Sequence, residues 1–258
     1  MSARVPVVAR LRRTPSAATA LIGVLLGVGS LAAAHPLAAQ EPAPVAPQGA
    51  VPAANTGRRP LDLSIAVRGG TLGYGAEVGK LVASHLGVRV AAYTFSYART
   101  QEFEGVDYDA RAKVGQASAL LDLFPGRRGK FHLTGGVVMG TAEVTGRGVP
   151  NGGTFEIGDR EYTSAEVGEL RGAARFPRVR PYGGLGWGTP AKNSGGIGFS
   201  TDFGVVYGAP TTVLTASNAG ANAQLRADLE AQRADAQDTL ERYAKFYPVL
   251  NFGLTYRF

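Results

Sequence analysis

The sequence contains no cysteine, one tryptophan and two methionines among 258 residues. The missing thiols exclude a disulfide framework and any thiolate nucleophile or metal ligand. Only His85 and His132 lie beyond the first 40 residues, which argues against a zinc site. Past residue 40 no run approaches about 18 uninterrupted apolar residues, so no helical membrane span is expected there. Neither G-x-S-x-G nor H-E-x-x-H occurs. Gly75-Ala76-Glu77-Val78-Gly79-Lys80 is one residue too short between its glycines for a phosphate-cradling loop, and it reads as strand. The acidic pairs Glu102/Glu104 and Asp107/Asp109 lack the ligand count of a dedicated calcium site. No cofactor and no metal are expected.

What the chain has is glycine and tyrosine: 36 glycines and ten tyrosines favour a β-protein with tight turns over a helical bundle. The formal charge of +7 falls to +3 once Arg4, Arg10, Arg12 and Arg13 are set aside, and the basic residues are dispersed. Nucleic acid is therefore not an expected partner. Those four arginines precede an apolar, small-residue run from Ala17 to Ala34, so residues 1–40 read as a cleaved signal peptide, with a retained anchor as the alternative. Cleavage after Ala34 or near Ala39-Gln40 fits the small residues there. Residues 41–60, rich in Pro and Ala, read as an extended periplasmic leader.

From residue 61 the dominant pattern is alternation. Leu61, Leu63, Ile65 and Val67 interleave with Asp62, Ser64, Ala66 and Arg68. Leu86, Val88 and Val90 interleave with Gly87, Arg89 and Ala91; Leu121 and Leu123 flank Asp122; Pro181, Leu185 and Trp187 oppose Arg180, Tyr182 and Gly184; Phe199, Phe203 and Val205 oppose Ser200, Asp202 and Gly204. An apolar face against a polar one, repeated from strand to strand, suits a closed barrel with lipid outside and a polar lumen. We count eight strands. Gly69-Gly70 is read as a tight hairpin, in preference to one strand through residues 61–82, because it keeps the strand number even. The stretch 102–107 is assigned to a polar loop, 125–129 and 192–195 to turns, and 146–165 to a long loop, with a strand from about Val167 after it.

One segment breaks the alternation. Residues 221–245 lack Gly and Pro and should be helical, with Leu225, Leu229, Ala236, Leu240 and Tyr243 on one stripe. This insert either caps the barrel mouth or enters the lumen, or it packs its narrow stripe on neighbouring loops, which is the preferred reading. Its four basic and five acidic residues argue against adhesion to an anionic membrane surface.

The C-terminal strand carries Phe252, Leu254, Tyr256 and Phe258 on one face and Asn251, Gly253, Thr255 and Arg257 on the other. With the N-terminal segment and the alternating strands, the tail Asn251-x-Gly253-x-x-Tyr256-x-Phe258 resembles that of small bacterial outer-membrane β-barrels of the porin-like or OmpA-like membrane-domain kind. The resemblance covers residues 61–258 and implies an all-β fold: an antiparallel, eight-stranded transmembrane barrel with a helical insert before the last strand. It also implies location in the outer membrane, with outer-membrane lipid as partner and the barrel-assembly machinery recognising Asn251, Gly253, Tyr256 and Phe258. No peptidoglycan-binding domain is expected with this barrel, a departure from the full OmpA-like plan.

An eight-stranded barrel is narrow enough for side chains to fill. The expected lumen charge network comprises Asp62, Arg68, Arg89, Asp122, Arg180, Asp202 and Arg257, with Glu77 a further lumen acid. Opposite charges in low-dielectric surroundings should pair and plug the interior, in preference to lining an ion path. The function read from the sequence is a structural or interaction protein; the alternatives are a narrow passive porin, a soluble periplasmic β-protein and, last, an outer-membrane hydrolase using His132 with Ser118 and Asp122.

Overall fold

The computed structural model describes residues 63–103, 106–126, 130–150, 154–188 and 196–258. The expected signal peptide and leader, and Asp62, therefore lie outside the described residues, as do the expected turn at 192–195, most of that at 125–129 and the side chains of Glu102 and Glu104.

Eight antiparallel strands close into a ring: β1 (Leu63–Gly70), β2 (Gly73–Ala83), β3 (Leu86–Phe103), β4 (Val106–Leu123), β5 (Phe131–Pro150), β9 (Val179–Trp187), β10 (Gly196–Tyr207) and β12 (Phe246–Arg257). Consecutive strands pair, and β1 meets β12 with Ile65 opposite Tyr256, which leaves the ring without an edge. Between β5 and β9 lie the hairpin β6 (Thr154–Ile157) and β7 (Arg160–Thr163), the short helix α1 (Ser164–Val167) and β8 (Leu170–Arg175). Between β10 and β12 lie β11 (Thr211–Ala216) and helix α2 (Ala223–Tyr243).

The alternation has the expected sense. Ile65, Val67, Val78, Val90, Leu121, Leu133, Phe199, Phe203 and Leu254 are exposed on the outside, whereas Arg68, Glu77, Arg89, Ser118, Asp122 and Asp202 are buried within. On β3 the apolar outer positions run from Leu86 to Ala92, flanked by Thr94; the eight steps from Leu86 to Thr94 rise ~26 Å along the strand. That is close to the apolar band of a barrel that crosses a membrane. Aromatic pairs mark both margins: Phe131 with Trp187 at 5.1 Å and Tyr256 with Phe258 at 5.0 Å where β12 ends, and Tyr207 with Phe246 at 5.3 Å on the opposite rim.

Several boundaries depart from the sequence-based expectation. The first hairpin turns at Thr71-Leu72, because Gly69 and Gly70 still pair with Tyr74 and Gly73. The stretch 102–107 is largely strand, since β3 runs to Phe103 and β4 starts at Val106. The expected loop 146–165 is the end of β5 followed by β6, β7 and α1, and the next strand starts at Leu170. A local pattern shows no period there because Gly146, Gly148 and small polar residues leave the apolar signal sparse.

The ring is consequently lopsided. β3, β4 and β5 continue beyond it and are joined by β8 and β11, forming a hood on one side. Phe176-Pro177-Arg178 separates β8 from β9, yet both hold one register on β5, with Glu143 opposite Arg175 and Met139 opposite Val179. At this level Gly140 adopts φ +130° and its N–H donates to Arg178 O at 2.8 Å. The hood encloses its own core of Tyr108, Phe155, Ile157, Tyr162, Val167, Leu170, Leu225 and Leu229.

Helix α2 packs on the hood. Asn222 caps it, accepting from Gln224 N and Leu225 N. Gln237 ties it to β11, accepting from Thr212 N at 2.8 Å and donating to Pro210 O at 2.9 Å. Tyr162 donates to Asp228 at 2.5 Å; burial, then that carboxylate, raises the phenol's pKa. The buried stripe is Leu225, Leu229, Gln232, Ala236 and Leu240, whereas Tyr243, expected on it, is 70% exposed. The stripe stops there because the last turn has left the hood for the rim.

Two measurements check this account. Gly140→Ala would place Cβ 2.4 Å from Gly115 O at a positive φ, whereas a Cβ at Gly115 meets nothing. The first substitution is expected to cost about 1–3 kcal/mol in urea unfolding and Gly115→Ala less than about 0.5. Glu169 accepts from Arg171 and Arg147, in that order of effect, and its carboxyl is lowered from 4.5 to about 2. A depressed acid stabilises the fold fully above its ordinary pKa and loses that contribution as pH falls through the folded value. Hydrogen-exchange protection of β8 should therefore fall between pH 4.5 and about 2, and Glu169→Gln should show the low protection already at neutral pH.

Candidate functional site: the buried lumen network

Alternation places one residue in two inside the ring, and the strand registers decide which of these meet. Arg68 on β1 donates to Glu77 on β2 and to Asp202 on β10, both at 2.6 Å. Arg89 on β3 lies at the centre. Its Nη2 donates to Asp122 Oδ1 on β4 at 2.8 Å and to Asp202 Oδ1 at 2.9 Å, and its Nη1 donates to Glu77 Oε2 at 3.3 Å. Thr134 on β5 donates to Asp122 Oδ1 at 2.8 Å and accepts from Arg89. His132 Nε2 lies 3.1 Å from Asp202 Oδ1, and its Nδ1 has no hydrogen-bond partner among the described residues. Six strands thus meet at one cluster of two guanidiniums, three carboxylates and an imidazole, and every charged member is at most 8% exposed.

Above this charged layer lies an apolar one of Leu72, Ala91, Tyr93, Leu120, Val138, Tyr182, Val206 and Val249. Next comes a polar bridge, in which Arg180 donates to Gln116 Oε1 at 2.7 Å and Gln116 donates to Leu72 O at 3.1 Å. Free volume is small. A cavity of ≈ 40 Å³ opens below the charged layer beside Ser64, His132, Thr255 and Arg257, and one of ≈ 10 Å³ lies beside Tyr93 and Ser118. The upper cavity holds at most about one water.

Of the expected network, the structure brings Arg68, Arg89, Asp122 and Asp202 together with Glu77. Arg180 sits in the separate upper layer, 5.9 Å from the Phe176 ring, and forms no ion pair among the described residues. Arg257 is half-buried and lines the lower cavity instead of the cluster. The hydrolase constellation does not assemble: Asp122 is taken up by Arg89 and Thr134, His132 faces Asp202, and Ser118 Oγ has no partner among the described residues. The sequence-based list lacked Thr134, Gln116, Tyr93 and Tyr182. Their inward parity was available, but uncharged residues carry no cue to layer formation. In the tail, Asn251, Gly253 and Thr255 are buried inside, while Tyr256 and Phe258 are exposed outside.

Fold and site together define an eight-stranded antiparallel β-barrel with an apolar exterior and a packed, charged interior. Two solved structures share this architecture. Acinetobacter baumannii CarO matches over 77% of this chain and 98% of its own, with a TM-score of 0.51 and 16% identity. CarO2 of the same organism matches over 78% and 100%, with a TM-score of 0.54 and 16% identity. The likeness bears out the expected barrel fold. No protein-family model matches the sequence, and no curated protein matches it either.

The centrality of Arg89 gives a sharp expectation. Arg89→Met leaves Asp122 with only the Thr134 hydroxyl and Glu77 and Asp202 with Arg68 as their one guanidinium, so stability measured by urea unfolding in micelles should fall by about 3–5 kcal/mol. Arg89→Met/Asp122→Leu, which also removes the stranded carboxylate, should recover part of that loss.

Proposed function

We propose that the chain is an integral outer-membrane β-barrel whose lumen is plugged and whose role is structural or interactional. The observation that carries this reading is the Arg89 cluster: side chains from six strands cross the lumen and bond to one another, with an apolar layer stacked above. Passage of a solute would have to separate buried ion pairs, leaving uncompensated charges at a cost of several kcal/mol each. The apolar outer band and its aromatic margins support contact with outer-membrane lipid. In this orientation the end where β1 begins and β12 finishes faces the periplasm, and the hood projects outward. The outward face of Phe258, with Asn251 and Gly253 turned inward, is consistent with recognition of this strand by the barrel-assembly machinery.

Planar-bilayer recording on the chain from residue 41, with insertion checked in the same preparation, tests the plug. A silent, inserted barrel is expected. Discrete, reproducible conductance steps would overturn the plug in favour of a narrow passive porin, with Arg68, Arg89, Asp122 and Asp202 as its selectivity determinants.

A further inference from the structure

The outer face of the hood does not resemble the apolar band below it. Register lines running across β3, β4, β5, β8 and β11 arrange its outward residues in rows. The lowest row places Lys113 beside Glu143 and Arg175. Arg111 stands in the next, among Ala98, Thr145 and Ala173. Above it, Asp109, Arg147 and Arg171 follow one another. The small residues of the middle row form a floor, and the arginines around it wall a groove of ≈ 540 Å³. That volume is within the range of small-molecule sites.

Charge is distributed unevenly over this groove. Arg99, Arg111, Arg147, Arg171 and Arg175 line it and Lys113 stands one row below Arg111, against Asp109 in the lining and Glu143 and Glu169 paired to its arginines. Glu143 holds Arg175 at 2.7 Å, and Glu169 holds Arg147 at 2.6 Å together with Arg171. These carboxylates fix the three guanidiniums without covering them, since the side chains remain 61%, 52% and 69% exposed. Arg111 and Lys113 have no carboxylate within ion-pair distance among the described residues and face solvent. The groove thus presents oriented donors with a surplus of positive charge.

Its position identifies the occupant. One row of Thr94, Gly115 and Thr141 separates Lys113 from Ala92, Ala117 and Met139 at the top of the apolar band. A lipid whose chains lie along that band would carry its headgroup at the level of the groove. We propose that this face binds the phosphorylated headgroup of an outer-leaflet lipid, with Arg111, Lys113, Arg147, Arg171 and Arg175 as phosphate ligands. Exposed guanidiniums suit phosphate through paired N–H donors, and a fixed fork loses little freedom on binding. The site rests on the outer-membrane reading proposed above.

The test uses the barrel reconstituted into vesicles of zwitterionic lipid containing either diphosphorylated lipid A or the same lipid stripped of its phosphates. Lipid retained per barrel after detergent exchange is measured by mass spectrometry. Preferential retention of the phosphorylated form is expected, reduced about tenfold in Arg111→Gln/Lys113→Gln, which leaves the Glu143 and Glu169 pairs intact. Arg226→Gln/Arg242→Gln, an equal loss of charge on exposed positions of α2, should change nothing. Equal retention of both lipids, unchanged retention in the groove variant, or full displacement by millimolar inorganic phosphate would overturn the lipid site. Insertion is read separately from shielding of Trp187 against an aqueous quencher. A chain that fails to insert overturns the membrane reading and the site with it, whereas a chain that inserts and shows no preference overturns the site alone.

Discussion

Everything inside this barrel is arranged around one guanidinium. Arg89 bonds to carboxylates on β2, β4 and β10 and to a hydroxyl on β5, while Arg68 carries the chain of charge to β1. A guanidinium offers five N–H donors in a fixed plane, and a carboxylate accepts from several directions, so one such group can tie together strands that face each other across a lumen. Ladder hydrogen bonds hold neighbours in the ring. Strand number and stagger set its radius, and side chains that cross the interior tie opposite walls to one another.

The same argument explains the stacking of layers. Removing charge from water is costly unless each group is paired, and the cluster meets that condition with guanidiniums, carboxylates, Thr134 and His132 in mutual contact. Tyr93, Tyr182, Leu120 and Val138 lie directly above and cover the ion pairs on that side. Close packing needs glycine beneath the rings. A Cβ at Gly184 or Gly204 would fall within 2.7 Å of the Tyr182 hydroxyl, so both positions keep room for that side chain.

The lopsided hood divides the molecule by polarity. In the ring the outer positions are apolar and the inner positions charged; in the hood the inner positions pack a small apolar core against α2 and the outer ones carry Arg, Lys, Asp and Glu. The polarity of the same strands inverts near Gly140, where β5 takes a positive φ and the Phe176-Pro177-Arg178 break lies opposite. One strand thus serves a barrel wall in one half and a soluble sheet in the other.

The sequence by itself determined which way each side chain points, because a strand's period of two leaves no other choice once one face is apolar: Arg68, Arg89, Asp122, Asp202 and the tail from Asn251 all lie on the face their alternation assigns. It also set the eight-stranded ring and the helix before the last strand. Tertiary structure decided who meets whom. Arg89 and Asp202 are 113 positions apart and Arg68 and Asp202 are 134, and nothing local to either residue encodes the stagger that brings them to one height. For that reason Arg180 and Arg257, inward-facing like the others, lie at different levels and stand outside the cluster. The hood escaped the sequence for a related reason. Its added strands β6, β7, β8 and β11 are only four to six residues long and largely polar on their outer face, so the apolar inner face exists only once they and α2 have closed over it.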